Sequence, residues 1–173
     1  MRQTLAFTVA AVLIAVSSVV AADTYVIDPA HSSIDFSVRH LGLSSVKGNF
    51  KDFSGTIMYD PQDLAKCSVS VTIKTASINT DNEMRDNHLR SADFFDAAKC
   101  PEITFVSEKI SKQKDGYVAL GTLTMHAVSK KIELPFTLTG PVKGMQGEMR
   151  FAVETPPHVA IFEIDICAVP RRA

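Results

Sequence analysis

Apolar and polar side chains alternate along much of the chain after residue 22. The alternation is clearest in residues 32–40, 68–74, 131–139 and 149–153, and it is weaker in 53–59, 103–110 and 117–126. In the first segment Ile34, Phe36 and Val38 fall on one face, and the residues between them are polar. Successive side chains of a strand point to opposite faces, so each segment is predicted to be a strand with one buried and one solvent-facing side.

Short turn signals separate these segments, among them Asp60-Pro61, residues 114–116 and residues 140–144. Seven or eight amphipathic strands with such short connections predict an all-β, antiparallel fold. The strands could bury their apolar faces as two packed sheets or by closing into a barrel, which also removes exposed edges. Alternation is compatible with both. Pro135 is expected at an edge or a bulge, because proline cannot donate to a neighbouring strand.

Residues 80–96 lack alternation and are predicted to contain a short helix. Thr80 and Glu83 have the spacing of a capping box, with Thr80 at the N-cap. Phe94 and Phe95 are expected to pack beneath this helix. A connection of this length usually covers something, such as the mouth of a barrel or a binding face.

The first 22 residues have the composition of a signal peptide. Arg2 is the only charged residue before Asp23, and an apolar run with small residues at its end separates the two. We therefore expect cleavage between Ala22 and Asp23, export, and a mature domain of residues 23–173 with no stable membrane anchor. A retained anchor is the alternative, but a membrane span needs roughly 20 mostly apolar residues, and polar side chains interrupt this run.

The charge balance argues against a nucleic-acid partner. The chain has 18 Lys and Arg against 19 Asp and Glu, and the two signs are interspersed. Binding to a phosphate backbone requires a basic stripe, which the sequence does not contain.

The cysteines Cys67, Cys100 and Cys167 form no CxxC pair. An oxidising compartment permits a disulfide without requiring one. Cys67 and Cys100 each precede a predicted strand. If those strands are antiparallel neighbours, their starts lie at opposite ends of the pair, which argues against a bond between the two cysteines.

Motifs of catalysis and metal binding are missing from the sequence. The histidines are His31, His40, His88, His126 and His158, and no HxH or HExxH spacing occurs among them. No GxSxG motif or recognisable nucleophile–base pair is present. Asp86, His88 and Asp93 could carry acid–base chemistry, although a helix whose polar side chains hold its own loops is the plainer interpretation. His40 is either a satisfied polar group at the end of the interior or a contact to a ligand head group.

Several stretches, in order, resemble the YceI-like family of periplasmic lipid-binding proteins. They are Asp28-Pro29-Ala30-His31-Ser32, Gly48-Asn49-Phe50, Arg85-Asp86-Asn87-His88-Leu89, Pro101-Glu102-Ile103-Thr104-Phe105 and Gly121-Thr122-Leu123-Thr124-Met125-His126. No single stretch is specific, but their order and spacing from about residue 25 to residue 142 match the family.

The resemblance implies a lipocalin-like barrel in the periplasm that holds an isoprenoid lipid: a polyprenyl chain, a quinone or a quinone precursor. It implies no cofactor, no metal and no enzymatic activity. The alternative is an enzyme, such as a hydrolase, that acts on a lipid-like substrate through His and Asp residues at the barrel mouth. The apolar strand faces would serve equally as a dry core or as a ligand cavity. The expected ligand contacts are Phe36, Val38, His40, Phe50, Phe53, Val71, Ile73, Phe94, Leu123, Leu134, Phe136 and Leu138.

The C-terminus departs from the family pattern after about Val153. The family continues with an Asn-Arg-x-Asp-Phe-Gly stretch and closing strands, and residues 154–173 contain no such motif. Either this end is truncated or frameshifted, or residues 159–166 form a divergent last strand. In the first case the barrel lacks a wall, and its free edge is expected to favour a homodimer or aggregation.

Overall fold

The computed structural model describes residues 22–40, 43–156 and 162–170, and the side chains of residues 39–40 and 162–168 lie outside that description. The predicted signal peptide falls almost wholly outside the described residues, so its cleavage stays a prediction. In the described part of the chain, no helix is long and apolar enough to cross a membrane.

Strands dominate the structure. They are β1 (Asp23–Ile27), β2 (Ser33–His40), β3 (Ser44–Phe50), β4 (Phe53–Tyr59), β5 (Ser68–Lys74), β6 (Ile78–Asn79), β7 (Glu102–Gln113), β8 (Gly116–Met125), β9 (Val128–Lys143), β10 (Met149–Glu154) and β11 (Phe162–Pro170). The helix α1 spans Glu83–Arg90, and one-turn 3-10 helices occupy Pro29–His31, Leu64–Lys66 and Thr75–Ser77. The predicted bounds of β4 and β5 are confirmed, β7 is longer than predicted, and β8 has the predicted length but begins one residue earlier.

The strands form one antiparallel sheet that curls into a nearly closed barrel. β1 and β2 are halves of one bent strand, and β3 and β4 are halves of the next. Phe36 of β2 lies opposite Gly48 of β3, and Tyr25 of β1 lies opposite Ile57 of β4. Then come β5, β7, β8, β9, β10 and β11 in order. With each bent strand counted once, the described residues form an eight-stranded barrel, as the family resemblance implies.

The C-terminal segment supplies one wall of this barrel. β11 pairs with β10, where Ala168 lies opposite Phe151, and with β1, where Pro170 lies opposite Tyr25. It also pairs with β2. The expectation of a missing wall is therefore wrong, and the free edge on which the homodimer prediction rests is occupied. β11 agrees with the alternative of a divergent last strand over residues 162–166, and residues 159–161 of that prediction lie outside the described residues.

One seam of the barrel remains open. β10 ends at Glu154, which lies opposite Thr137 of β9. Residues 128–136 of β9 therefore pair with β8 only, as far as the described residues show. Pro135 lies in this stretch, which confirms its predicted edge position.

Aromatic side chains fill the barrel at the end where β2 and β3 pair. The Phe50 ring lies 5.6 Å from the Phe36 ring and 6.1 Å from the Phe95 ring, measured between centroids. Phe50 is only 2% exposed. A Cβ atom at Gly48 would lie 2.5 Å from the Phe36 ring, so glycine is what allows this ring to pack against β3. This end of the barrel is therefore packed core.

The helix α1 follows β6 at the same end, and its start differs from the prediction. Its N-cap is Asn82, whose side chain accepts a hydrogen bond from the Arg85 backbone N–H at 3.0 Å. Thr80 instead donates through its backbone N–H and its hydroxyl to the buried Asp86 carboxylate. Arg85 in turn donates to the Thr80 hydroxyl and carbonyl oxygens. The capping box is thus wrong, whereas the interpretation of polar side chains that hold the helix to its own loop is confirmed.

Candidate functional site

An apolar cavity lies inside the barrel, beside the aromatic core. It is bounded by β4, β5 and β7 to β10, has a free volume of about 90 Å³, and is partly open to solvent. Its wall is almost wholly apolar. Alternation places one face of each strand inward, and six of the expected ligand contacts lie on this wall: Val71, Ile73, Leu123, Leu134, Phe136 and Leu138.

The remaining expected contacts lie elsewhere. Phe36, Phe50 and Phe53 are buried in the aromatic core and do not line the cavity. Val38 and Phe94 are each 49% exposed, so the structure does not place them in the interior. The side chain of His40 lies outside the described residues. The structure therefore brings together half of the expected set, and whether those side chains touch a ligand stays a prediction.

Sequence reasoning missed several side chains of the wall. The most informative are Tyr59, Cys67, Phe105, Tyr117 and Ala119. Phe53, Ile57 and Tyr59 share one face of β4, and the two core-forming members of that face could have indicated that Tyr59 points inward. The alternation of β8 is too weak to assign Tyr117 to a face, because small and apolar residues occur on both sides of the strand.

Tyr59, Tyr117 and Cys67 are neighbours on the cavity wall. Tyr117 stacks on Phe136 with ring centroids 5.4 Å apart and planes at 19°. Burial raises the pKa of the Tyr59 hydroxyl, and the neighbouring Tyr117, Cys67 and Asp60 raise it further. Burial is also the main cause of the raised pKa of the Cys67 thiol. The Tyr59 hydroxyl and the Cys67 thiol, whose pKa values are both raised, therefore stay protonated and uncharged at neutral pH.

The loop from Asp60 to Cys67 covers the end of the barrel at which Tyr59 and Tyr117 lie. The Asp60 carboxylate accepts hydrogen bonds from the backbone N–H groups of Gln62 at 2.8 Å and Asp63 at 3.2 Å, and its pKa is lowered mainly by the first of these. The Cys67 thiol donates to the Asp60 carbonyl oxygen at 3.4 Å. Lys66 lies 3.5 Å from Asp60 and 3.7 Å from Asp63, so its charge is engaged within the loop.

The residues considered for acid–base chemistry lie outside the cavity. The His88 imidazole is 3.4 Å from the Asp93 carboxylate, and both side chains are well exposed on the helix side of the barrel. Asp86 is engaged with Thr80. The described residues contain no group of three or more His, Cys, Asp or Glu side chains that could hold a metal ion. Cys67 and Cys100 are both free thiols.

A cluster of four polar side chains, Asp28, His31, Glu148 and Arg150, lies at the turn after β1, where that strand bends away from β11. The Asp28 carboxylate contacts the His31 Nδ1 atom at 2.9 Å and the Arg150 guanidinium at 3.7 Å. Arg150 also pairs with Glu148 at 2.7 Å. These contacts connect the turn after β1 to β10, across the part of the β1–β2 edge that β11 does not pair with.

Comparison with known proteins places this barrel among relatives. The YceI-like domain family matches residues 25–166. A UPF0312 protein of Photorhabdus laumondii is 38% identical over 165 residues, which cover 95% of this chain and 86% of that protein. The crystal structure of a Campylobacter jejuni YceI protein is 34% identical with a TM-score of 0.64, and the match covers 80% of this chain and 92% of that one.

A more distant structure shares the fold. It is described as a polyisoprenoid binding domain from Saccharophagus degradans, and it is 14% identical with a TM-score of 0.61. The match covers 86% of this chain and 98% of that domain. At this identity the likeness shows a common fold.

Proposed function

The chain belongs to the YceI-like domain family, and from that premise we propose that it is an exported protein that binds an isoprenoid lipid in its barrel interior. The apolar cavity is the observation that carries the proposal. Its wall contains aliphatic and aromatic side chains from six strands and no charged side chain. Such a wall stabilises an apolar ligand by removing it from water, at about 25 cal/mol for each Å² buried.

The binding function described for the Saccharophagus domain supports the same ligand class. That domain shares the barrel architecture, and the six expected contacts on the cavity wall give this chain the side chains that a polyprenyl tail requires. A quinone or its precursor carries the same kind of tail, so both belong to the proposed class.

The size of the cavity limits how the ligand enters. A cavity of about 150 Å³ holds a benzene molecule, and the free volume here is about 90 Å³. A polyprenyl chain of several units therefore requires the wall to move outward. β9 is the wall best placed to move, because residues 128–136 are hydrogen-bonded to a strand on one side only among the described residues.

Transport or storage fits this site better than catalysis. The His88–Asp93 pair is exposed to solvent rather than to the cavity, and the cavity wall offers only neutral groups. The residues before Asp23 support export to the periplasm, where a carrier would move a lipid through water. Protein purified from the periplasm should begin at Asp23.

Organic extraction of the purified mature protein, followed by mass spectrometry, tests the binding function. We expect an intact isoprenoid lipid from the wild type. Ala119 is 1% exposed and lines the cavity, so Ala119→Phe should fill the free volume and remove the lipid. Val106→Phe is the matched control, because Val106 lies on the barrel exterior and is 50% exposed. Wild-type extracts without any isoprenoid, or equal lipid in both variants, would contradict the proposal.

A further inference from the structure

The hairpin between β9 and β10 extends past its neighbours at the end of the barrel that lies away from α1. Within the described residues, β9 pairs with β8 as far as Phe136, and β10 pairs with β11 from Phe151 onward. Between these limits Val142 lies opposite Arg150. Residues 140–150 therefore form a two-stranded arm that is hydrogen-bonded to no third strand in the described part of the chain.

The arm exposes apolar side chains to solvent. Met145 at its tip is fully exposed, and Val142 and Met149 are 59% and 39% exposed. The tip is nevertheless an ordered turn, in which the Gly144 backbone N–H donates to the Glu148 carbonyl oxygen at 2.7 Å. Exposed apolar side chains gathered on one element mark a surface that binds a partner or a membrane more often than isolated ones do.

Basic side chains surround these apolar ones. The arm and the adjacent hairpin between β7 and β8, residues 112–116, together carry four basic residues against two carboxylates, Asp115 and Glu148. The basic residues are Lys112, Lys114, Lys143 and Arg150. The three lysines are exposed, and none of them has an ion-pair partner within the described residues. Their charge is therefore available to an anionic surface.

The opposite end of the barrel has exposed apolar side chains of a different setting. Met84 on α1 is 84% exposed and follows Glu83, and Phe94 is 49% exposed and follows Asp93. An anionic surface is repelled by these carboxylates and attracted by the lysines beside the arm. Charge therefore distinguishes the two ends of the barrel.

The arm is also continuous with the wall of the cavity. Leu138 of β9 and Val153 of β10 lie opposite each other at its base, and both line the cavity. A surface held by the arm is thus close to the strands that enclose the interior.

We propose that the arm docks the protein on the surface of an anionic lipid bilayer. Val142 and Met149 lie on opposite faces of the hairpin, so the arm enters the head-group region with Met145 at its tip. The lysines then face the head-group charges. Shallow apolar insertion and electrostatic attraction act together in such binding, which stays peripheral and reversible. Docking does not depend on what the cavity holds, so its test is separate from that of the proposed ligand binding.

Sedimentation with vesicles tests this surface. The purified mature protein is mixed with vesicles of phosphatidylcholine alone or of phosphatidylcholine with phosphatidylglycerol. We expect the wild type to bind the second kind more tightly and to be released as salt is raised. Met145→Asp should weaken this binding by about tenfold or more, because it removes an inserted apolar side chain and adds a repelled charge. Lys143→Gln should weaken it by about fivefold, the contribution of one basic residue near an anionic surface.

Met84→Asp is the matched control, since Met84 is also a well-exposed methionine but lies at the other end of the barrel. It should bind vesicles as the wild type does, and so should Ala119→Phe, in which the cavity is filled. Wild-type protein that binds neither kind of vesicle would overturn the proposal. Equal losses in Met145→Asp and Met84→Asp would also overturn it, and loss of binding in Ala119→Phe would show that the vesicles are held through the cavity instead.

Discussion

The interior of the barrel divides into a packed end and a hollow end, and substitutions at Phe50 and Leu134 should separate their roles. Phe50 is 2% exposed and lies between the Phe36 and Phe95 rings. Truncation of a buried phenylalanine leaves a cavity and costs about 3–5 kcal/mol. Domains of this size unfold with about 5–15 kcal/mol. Phe50→Ala should therefore remove a large share of the free energy of unfolding.

Leu134→Ala should cost much less. Leu134 is only partly buried and already borders free volume, so its truncation enlarges an existing space instead of opening a new one. Full burial of a leucine contributes about 1.5–3 kcal/mol, and partial burial reduces the expected loss to about 1 kcal/mol.

Urea denaturation of delipidated protein measures both losses, with an unchanged m-value as the check that the unfolded states match. Binding of a fluorescent apolar dye in the cavity should be unaffected by Phe50→Ala in the folded fraction, because the Phe50 ring does not line the cavity. A loss for Leu134→Ala equal to that for Phe50→Ala would refute the division. So would folded Phe50→Ala protein that no longer binds the dye, because Phe50 would then be the ligand contact that the sequence predicts.

Two further predictions concern the seams of the barrel. The hydrogen bond from His31, followed by that from the Ala30 N–H, lowers the pKa of Asp28. The ionised Asp28 carboxylate therefore stabilises the folded state fully above its pKa in the unfolded chain, about 3.9. This stabilisation is lost as pH falls through the lower pKa that Asp28 has in the folded protein. Thermal melts between pH 6 and pH 3 should show a steeper acid loss for wild type than for Asp28→Asn, and parallel curves would exclude the effect. Deletion of residues 157–173 should remove β11, lower the melting temperature and produce oligomers through the freed edges of β10 and β1–β2, whereas a monomer with an unchanged melt would show that β11 contributes nothing.

The sequence predicts a strand where apolar and polar side chains alternate, and it misses a strand where that alternation is interrupted. β4 and β5 have the predicted bounds because their inward positions carry Phe53, Ile57, Val71 and Ile73, which form the core. β3 escapes prediction because its inward position opposite Phe36 is a glycine, which carries no apolar signal. The Phe36 ring requires that glycine, so the packing that stabilises β3 also hides it from the alternation.

Alternation identifies the inward face of a strand but not the level along the barrel axis. Phe36 and Val38 share a face of β2, yet Phe36 is buried and Val38 is half exposed. Among the described residues, pairing between β2 and β11 reaches only as far as Phe36, so no described part of β11 lies beside Val38. The sequence could not distinguish Leu134, which lines the cavity, from Phe50, which lies in the packed core. Both are inward-facing apolar residues, and they differ only in their level along the barrel axis.

The open seam and the hollow end of the barrel adjoin each other. Leu134 and Phe136 line the cavity and lie in the stretch of β9 that pairs with β8 alone among the described residues. A strand that is hydrogen-bonded on one side opens at a lower cost than one bonded on both, because fewer contacts break. Outward movement of this stretch of β9 is therefore expected to enlarge the cavity at the lowest cost, because Leu134 and Phe136 would move with the strand.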